Sequence, residues 1–247
     1  MCIRDRAHLL NNLAVAAQGD NKWPEAVSMY GRASALFGAI GDTDNEANAM
    51  FNHAEVLVEQ GHAEAALPLL AEAVEAAWAA GDEELAAYAL RLSGRALSRA
   101  GRHEEALDQL LSARSVFAGI GEEDEVRAVD LARAEALLLR GEDSDALELL
   151  DEHVGADLDV LARAQALWLR GFALLGLDRL DEATPVLQSG LAAAAEAGSS
   201  YLSALCTLGL VRAHVHESTE EDALTVLRDL GVVEVPLLSQ VVSPQGS

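Results

Sequence analysis

Three arginines form a row along one predicted helix of this 247-residue chain. Arg91, Arg95 and Arg99 follow one another at intervals of four residues, and Tyr88 precedes Arg91 by three. Because residues four apart lie on the same side of an α-helix, the three guanidinium groups would form one positive stripe. A guanidinium group binds a carboxylate with two parallel hydrogen bonds. The row therefore indicates a local site for an anionic group.

A second interpretation of the arginine row needs no ligand. Glu55 lies forty residues before Arg95, and Glu135 lies forty residues after it. Glu59 likewise precedes Arg99 by forty residues. If the chain repeats with this period, adjacent helices would bring these groups together as charge ladders. Exposed ion pairs contribute about 0.2–1 kcal/mol each, which offsets the repulsion within the row. The sequence leaves both interpretations open.

A pair of aromatic residues is the second feature that could bind a partner. Trp168 and Phe172 are four residues apart, and Leu131 occupies the position of Trp168 one repeat earlier. If they face a groove, they form an exposed aromatic patch of the kind that anchors bound peptides. Alternatively, Trp168 fills an irregular joint next to a shortened helix. Both possibilities remain open at this point.

The sequence shows no pattern of known catalytic chemistry. It has no glycine-lysine phosphate loop, no dinucleotide-binding glycines, no HExxH helix and no GxSxG elbow. Besides Cys2, the only cysteine is Cys206, which excludes a disulfide framework. His214 and His216 would diverge by about 200° on a helix, so they would not share a metal. We expect a protein that is not an enzyme and has no metal or cofactor.

Composition and charge restrict the class of partner. The formal net charge is -24, which repels nucleic acid and anionic membrane surfaces. No segment reaches the roughly 18 uncharged apolar residues that a membrane span requires. We therefore expect protein or peptide partners, no nucleic acid and no membrane, and a cytoplasmic location.

A repeat of forty residues organises most of the chain. Small residues recur in the same phase, and large apolar residues keep their own phase. The small residues are Ala14, Ala54, Gly94 and Ala134, then Ala26, Ala66, Ala106 and Ala146, then Ala33, Ala73 and Ala113. The large ones are Tyr30, Leu70, Leu110 and Leu150. A period of this length is typical of stacked units that bury their apolar faces only against one another.

Each repeat predicts two helices separated by a tight turn. In the third repeat, the apolar spacing predicts a helix over Glu83–Ala100 and a second over His103–Ile120. Gly101 and Gly121 follow them, as glycine does where a helix ends in the left-handed conformation. Gly19, Gly61 and Gly141 would end other first helices, and Gly41, Gly81 and Gly198 other second helices.

This arrangement resembles the tetratricopeptide repeat family in a form with a forty-residue period. The family has a small residue within the first helix, an alanine twelve residues later and another small residue seven residues further on. Ala14, Ala26 and Ala33 fit this pattern, as do Ala54, Ala66 and Ala73, and then Gly94, Ala106 and Ala113. The resemblance implies an all-α, right-handed superhelix of about six antiparallel helix hairpins over residues 7–230.

The resemblance also implies where a partner would bind. In this family the first helices line a concave groove, and such grooves can hold an acidic C-terminus through basic and asparagine side chains. We therefore predict partner-binding residues on the first helices: Asn48, Asn52, Tyr88, Arg91, Arg95, Arg99, Leu131, Trp168 and Phe172. The expected function is a non-catalytic scaffold that binds a peptide or a helical partner.

Both ends of the chain, and the fourth repeat, depart from the pattern. Residues 1–6 resemble a translated sequencing adaptor, so an upstream domain would be missing. The alternative to the scaffold function is that the chain is the sensor or oligomerisation region of a truncated bacterial transcriptional or signalling regulator. Exposed end repeats would permit self-association. The second helix of the fourth repeat is expected to end early, near Gly155, after His153. Residues 231–247 predict a cap on the last hairpin or an autoinhibitory tail.

Overall fold

The described part of the chain is built from helices of similar length. The computed structural model describes residues 2–152, 158–214 and 220–238, and these contain twelve α-helices and no β-strand. The first six are α1 Ile3–Gly19, α2 Trp23–Ala39, α3 Thr43–Glu59, α4 Ala63–Ala80, α5 Glu83–Arg99 and α6 His103–Ile120. The others are α7 Glu123–Leu139, α8 Asp143–Asp151, α9 Val160–Gly176, α10 Leu180–Glu196, α11 Ser200–Arg212 and α12 Glu220–Asp229. The all-α class and the six helix pairs are confirmed.

The turns follow from left-handed residues placed at regular intervals. Gly101 ends the first helix of the third hairpin at φ 76°, and Gly121 ends the second at φ 84°. Glycine adopts this conformation without the steric cost that a Cβ atom brings. The first helix ends at Gly19 as predicted, but the left-handed conformation that follows it is taken by Asn21 (φ 60°). Asparagine is among the few other residues that tolerate this conformation.

The helices divide into two compact units. Unit 1 comprises residues up to 122 and contains α1 to α6, and unit 2 begins at residue 123 and contains α7 to α12. Within unit 1, each helix packs against the next, and α3 also contacts α5. Within unit 2, α9 packs against α7, α8, α10 and α11. The short helix expected in the fourth repeat is α8, which has nine residues, while His153 and Gly155 lie outside the described residues.

The rows of small residues lie where helices come closest together. An ideal Cβ atom on Gly94 would lie 2.5 Å from Cγ of Leu110 and 3.1 Å from the carbonyl oxygen of Ala106. Ala54 and Leu70 hold the corresponding positions one repeat earlier, and both are fully buried in one apolar cluster. The small residue in each repeat is therefore a requirement of helix packing.

Replacing Gly94 by valine is expected to lower the free energy of unfolding by about 2–3 kcal/mol, because Leu110 must leave its position. Urea denaturation followed by circular dichroism measures the change. Gly119→Val is the matched control, since a Cβ at Gly119 has no atom within 4 Å. Equal losses in the two variants would show that close packing at Gly94 contributes nothing.

The segment after α12 packs on unit 2. Val232 and Val235 are 2% and 1% exposed, and Nη1 of Arg212 lies 3.4 Å from the carbonyl oxygen of Leu237. Residues 239–247 of the predicted tail lie outside the described residues. At the other end, residues 3–6 form the first turn of α1, and their interpretation as an adaptor stays a prediction.

Candidate functional site

A groove between two first helices brings together two of the predicted binding residues. We call it the α3/α5 groove, and its volume is about 320 Å³. Its lining residues are Asn48 and Phe51 from α3, Leu85, Tyr88 and Glu84 from α5, and Asp82, which precedes α5. The groove therefore combines apolar side chains, an exposed amide and two exposed carboxylates.

Tyr88 is held by aromatic rings on both sides. Its ring centroid lies 6.3 Å from that of Phe51 and 5.1 Å from that of Phe117, the latter in an edge-on arrangement. The guanidinium carbon of Arg91 lies 5.7 Å from the same ring centroid. Such contacts fix a side chain in one position, so Tyr88 is a preformed wall of the α3/α5 groove.

Two of the three arginines bind a carboxylate of the preceding repeat. Nη2 of Arg95 lies 2.8 Å from Oε1 of Glu59, and Nη1 of Arg99 lies 3.2 Å from Oε2 of the same residue. Arg99 also donates a hydrogen bond of 2.6 Å to the carbonyl oxygen of Val58. The side chains of Arg95 and Arg99 are only 10% and 6% exposed. For these two residues the geometry agrees with the charge-ladder interpretation and leaves little surface for an anionic ligand.

The ladder differs in one respect from the sequence expectation. Arg99 contacts Glu59 as expected, whereas the contact of Arg95 with Glu59 was not predicted, since Glu55 and Glu135 were its expected partners. Glu55 accepts a hydrogen bond of 2.9 Å from Nε2 of Gln18. The hydroxyl of Tyr30 in turn donates to Oε1 of Gln18 at 2.8 Å. Glu55 is thus engaged in a network with the first hairpin.

Two titratable groups in this part of unit 1 have shifted pKa values. Burial, and then the charge of Glu55, raise the pKa of Tyr30 to about 12. Burial also lowers the pKa of His53, which lies two residues before Glu55. Both shifts favour the neutral forms at neutral pH. The charges near the groove therefore come from carboxylates and arginines.

The α3/α5 groove contains residues that sequence reasoning missed. Asn48 and Tyr88 were predicted and line it, while Asn52, Arg95 and Arg99 are not among its lining residues. Phe51 and Leu85 were missed, although each lies three residues from a predicted residue on the same helix. That spacing was the available signal, because residues three apart share a helix face.

The prediction of an exposed aromatic patch in the second half of the chain is wrong. Leu131 and Trp168 are each 1% exposed, and Phe172 is 4% exposed. The rings of Trp168 and Phe172 meet at 5.8 Å, inside unit 2. The cause is the close approach of neighbouring helices, since an ideal Cβ on Gly209 of α11 would lie 2.9 Å from the ring of Phe172. These side chains belong to the core of unit 2.

Neither a metal cluster nor a membrane helix is found in the described part of the chain. Within residues 2–152, 158–214 and 220–238, no three His, Cys, Asp or Glu side chains are grouped so that they could hold a metal ion. No helix in the same ranges is long and apolar enough to cross a bilayer. Of the histidine pair considered from the sequence, His214 lies within these ranges and His216 lies outside them.

Comparison with known proteins identifies the repeat. Residues 5–77, which span α1 to α3 and most of α4, match the tetratricopeptide repeat family. No curated protein matches the chain.

Solved structures with the same fold extend this likeness to most of the chain. The chain is similar to a Rap protein in complex with Competence and Sporulation Factor, with a TM-score of 0.70, 14% identity, and coverage of 91% of this chain and 70% of that one. It is also similar to the tetratricopeptide-like repeats of a putative kinesin light chain from Podospora anserina. There the TM-score is 0.55 and the identity 19%, with coverage of 78% of this chain and 97% of that one. Residues 5–77 therefore match tetratricopeptide repeats, and the chain has the fold of tetratricopeptide-like helical repeat proteins.

Proposed function

We propose that this protein is a non-catalytic scaffold that binds a segment of a partner protein in the α3/α5 groove. The observation that carries the proposal is the presence of Asn48 and Tyr88 in one groove with Phe51 and Leu85. An asparagine amide both donates and accepts hydrogen bonds, so it suits a peptide backbone. Rigid aromatic and apolar side chains supply the buried contact that anchors a peptide.

The fold and the charge support a protein partner over other classes. Arrays of stacked helical hairpins present extended surfaces, and binding on such surfaces is their general use. A net charge of -24 opposes binding to nucleic acid. Self-association through an end helix stays a prediction, and the half-exposed side chains of Leu9, Leu13 and Val15 on α1 would serve it.

A peptide library displayed on phage, selected against the intact chain, tests the proposal. Synthetic copies of the enriched peptides are then measured by calorimetry against variants. Asn48→Trp fills the α3/α5 groove from an exposed position and is expected to weaken binding at least about tenfold, since it removes the space for an anchoring side chain.

Ser115→Trp is the matched control, because Ser115 is an exposed residue of α6 outside the α3/α5 groove. It should bind the selected peptides as the parent does. If no peptide is enriched, or if both tryptophan variants bind equally well, the α3/α5 groove is not the binding site.

A further inference from the structure

A second groove lies between α3 and α4. We call it the α3/α4 groove, and its volume is about 370 Å³. Its apolar side chains are Ala47 and Met50 from α3, with Ala76 and Ala79 from α4. Its polar side chains are Thr43, Glu46, Glu72 and Glu75. The groove thus has an apolar floor and three carboxylates at its edge.

The groove exists because the second hairpin has a small residue where the first and third hairpins have larger ones. Ala76 corresponds to Leu36 in the first hairpin and to Val116 in the third, by the forty-residue period. Leu36 packs there against the apolar cluster formed by α1, α2 and α3. The methyl group of Ala76 cannot fill the equivalent space, so a concave surface remains.

The first and third hairpins lack the carboxylates at the edge of this groove. Glu72 and Glu75 correspond to Arg32 and Ala35 in the first hairpin and to Ser112 and Ser115 in the third. Arginine, alanine and serine are accepted at these positions of the same fold. The fold therefore does not require glutamate at either position.

The surroundings of the groove strengthen its negative potential. Residues 33–90 contain eleven Asp and Glu residues and no Lys or Arg. Arg4, Arg95 and Arg99 reach into this region from outside it, but Arg4 contacts Asp42 and the other two contact Glu59. Within the described ranges, none of Glu46, Glu72 and Glu75 has an ion-pair or hydrogen-bond partner for its side chain. A concave surface with carboxylates of one sign concentrates cations from solution.

We propose that the α3/α4 groove binds a basic, amphipathic segment of a partner protein. An apolar side chain of that segment fills the space above Ala76 and Met50, and flanking lysine or arginine side chains pair with Glu72 and Glu75. Charge complementarity selects this partner over an acidic peptide, because like charges placed together cost free energy. The site is separate from the α3/α5 groove, so it does not depend on the function proposed there.

Three labelled peptides test the chemistry of the occupant. The first is a short fluorescein-labelled, helix-forming peptide with leucine on one face of the helix and lysine on the other. The second has glutamate in place of lysine, and the third has serine in place of leucine. Fluorescence anisotropy is measured with the full chain at about 0.15 M salt, where charges beyond about 8 Å are screened. We expect binding of the first peptide only.

Two variants borrow residues from the chain's own repeats, so that the fold is kept. Glu72→Ser/Glu75→Ser introduces the residues of the third hairpin and is expected to weaken the lysine–leucine peptide about tenfold. Ala76→Leu introduces the residue of the first hairpin and is expected to abolish binding, because it fills the groove. Asp145→Ser/Glu148→Ser removes the same charge at the same spacing from exposed positions of α8 and should leave binding unchanged.

Several results would overturn the proposal. Failure of the lysine–leucine peptide to bind would do so, as would equal binding of the lysine–serine peptide, which would show general attraction to an acidic protein. Equal weakening of peptide binding in the α8 control variant would likewise show general attraction to an acidic protein. Retained binding in Ala76→Leu, or a loss in Asn48→Trp with none in Glu72→Ser/Glu75→Ser, would place the peptide elsewhere.

Discussion

Replacing Trp168 by alanine is expected to lower the free energy of unfolding of unit 2 by about 4 kcal/mol. The side chain is 1% exposed, and its ring packs edge-on against Phe172. Its indole N–H has no hydrogen-bond partner within the described residues, so the loss comes from packing alone. Urea denaturation followed by tryptophan fluorescence and circular dichroism measures the change.

The control for Trp168 is an apolar residue of the same helix that faces outward. Leu161 is 51% exposed, and Leu161→Ala should change the free energy of unfolding by less than about 0.5 kcal/mol. A Trp168→Ala variant that keeps its stability but loses peptide binding would contradict the structure, because it would show an exposed aromatic anchor.

Replacing Glu59 by alanine is expected to cost about 3 kcal/mol of unfolding free energy. One carboxylate contacts both Arg95 and Arg99, whose side chains are mostly buried. Removing the carboxylate of Glu59 takes the ion pair away from two guanidinium groups that are mostly shielded from solvent. The loss exceeds that of an exposed pair because the desolvation of the arginines is no longer offset.

The exposed pair between Arg163 and Glu196 provides the comparison for Glu59. Its atoms are 2.8 Å apart, as in the contact between Arg95 and Glu59, but the two side chains are 47% and 65% exposed. Glu196→Ala should therefore cost less than about 1 kcal/mol. Equal losses in the two variants would mean that burial contributes nothing to the ladder. A Glu59→Ala variant of unchanged stability that gained affinity for acetate or an acidic peptide would favour the anion-site interpretation.

The fold could be predicted because its signals are local and repeated. The second helix of the third repeat was predicted over His103–Ile120 and has those bounds, and the first was predicted one residue too long, as α5 ends at Arg99. Apolar spacing and a following glycine lie within one stretch of chain. A period of forty residues then carries the same signals through successive hairpins.

The site could be predicted less well because it depends on contacts between hairpins. Trp168 and Phe172 have the spacing of an exposed patch, but helices distant in sequence cover them. The forty-residue period gave Arg95 the expected partners Glu55 and Glu135, but Arg95 contacts Glu59, while Glu55 accepts a hydrogen bond from Gln18. Similarly, the α3/α4 groove depends on Ala76 being smaller than Leu36 and Val116. The sequence does not show that this difference in size leaves a groove, because the groove forms only when α3 packs against α4.

The even spacing of the left-handed glycines has a consequence for how such a gene can change in length. Gly41, Gly61, Gly81, Gly101, Gly121 and Gly141 recur every twenty residues with similar φ angles. A deletion or duplication that joins the chain at two glycines forty residues apart, such as Gly41 and Gly81, restores the same backbone conformation at the junction. Recombination between such points can therefore add or remove a whole hairpin without a new loop, and the exposed surface can grow stepwise.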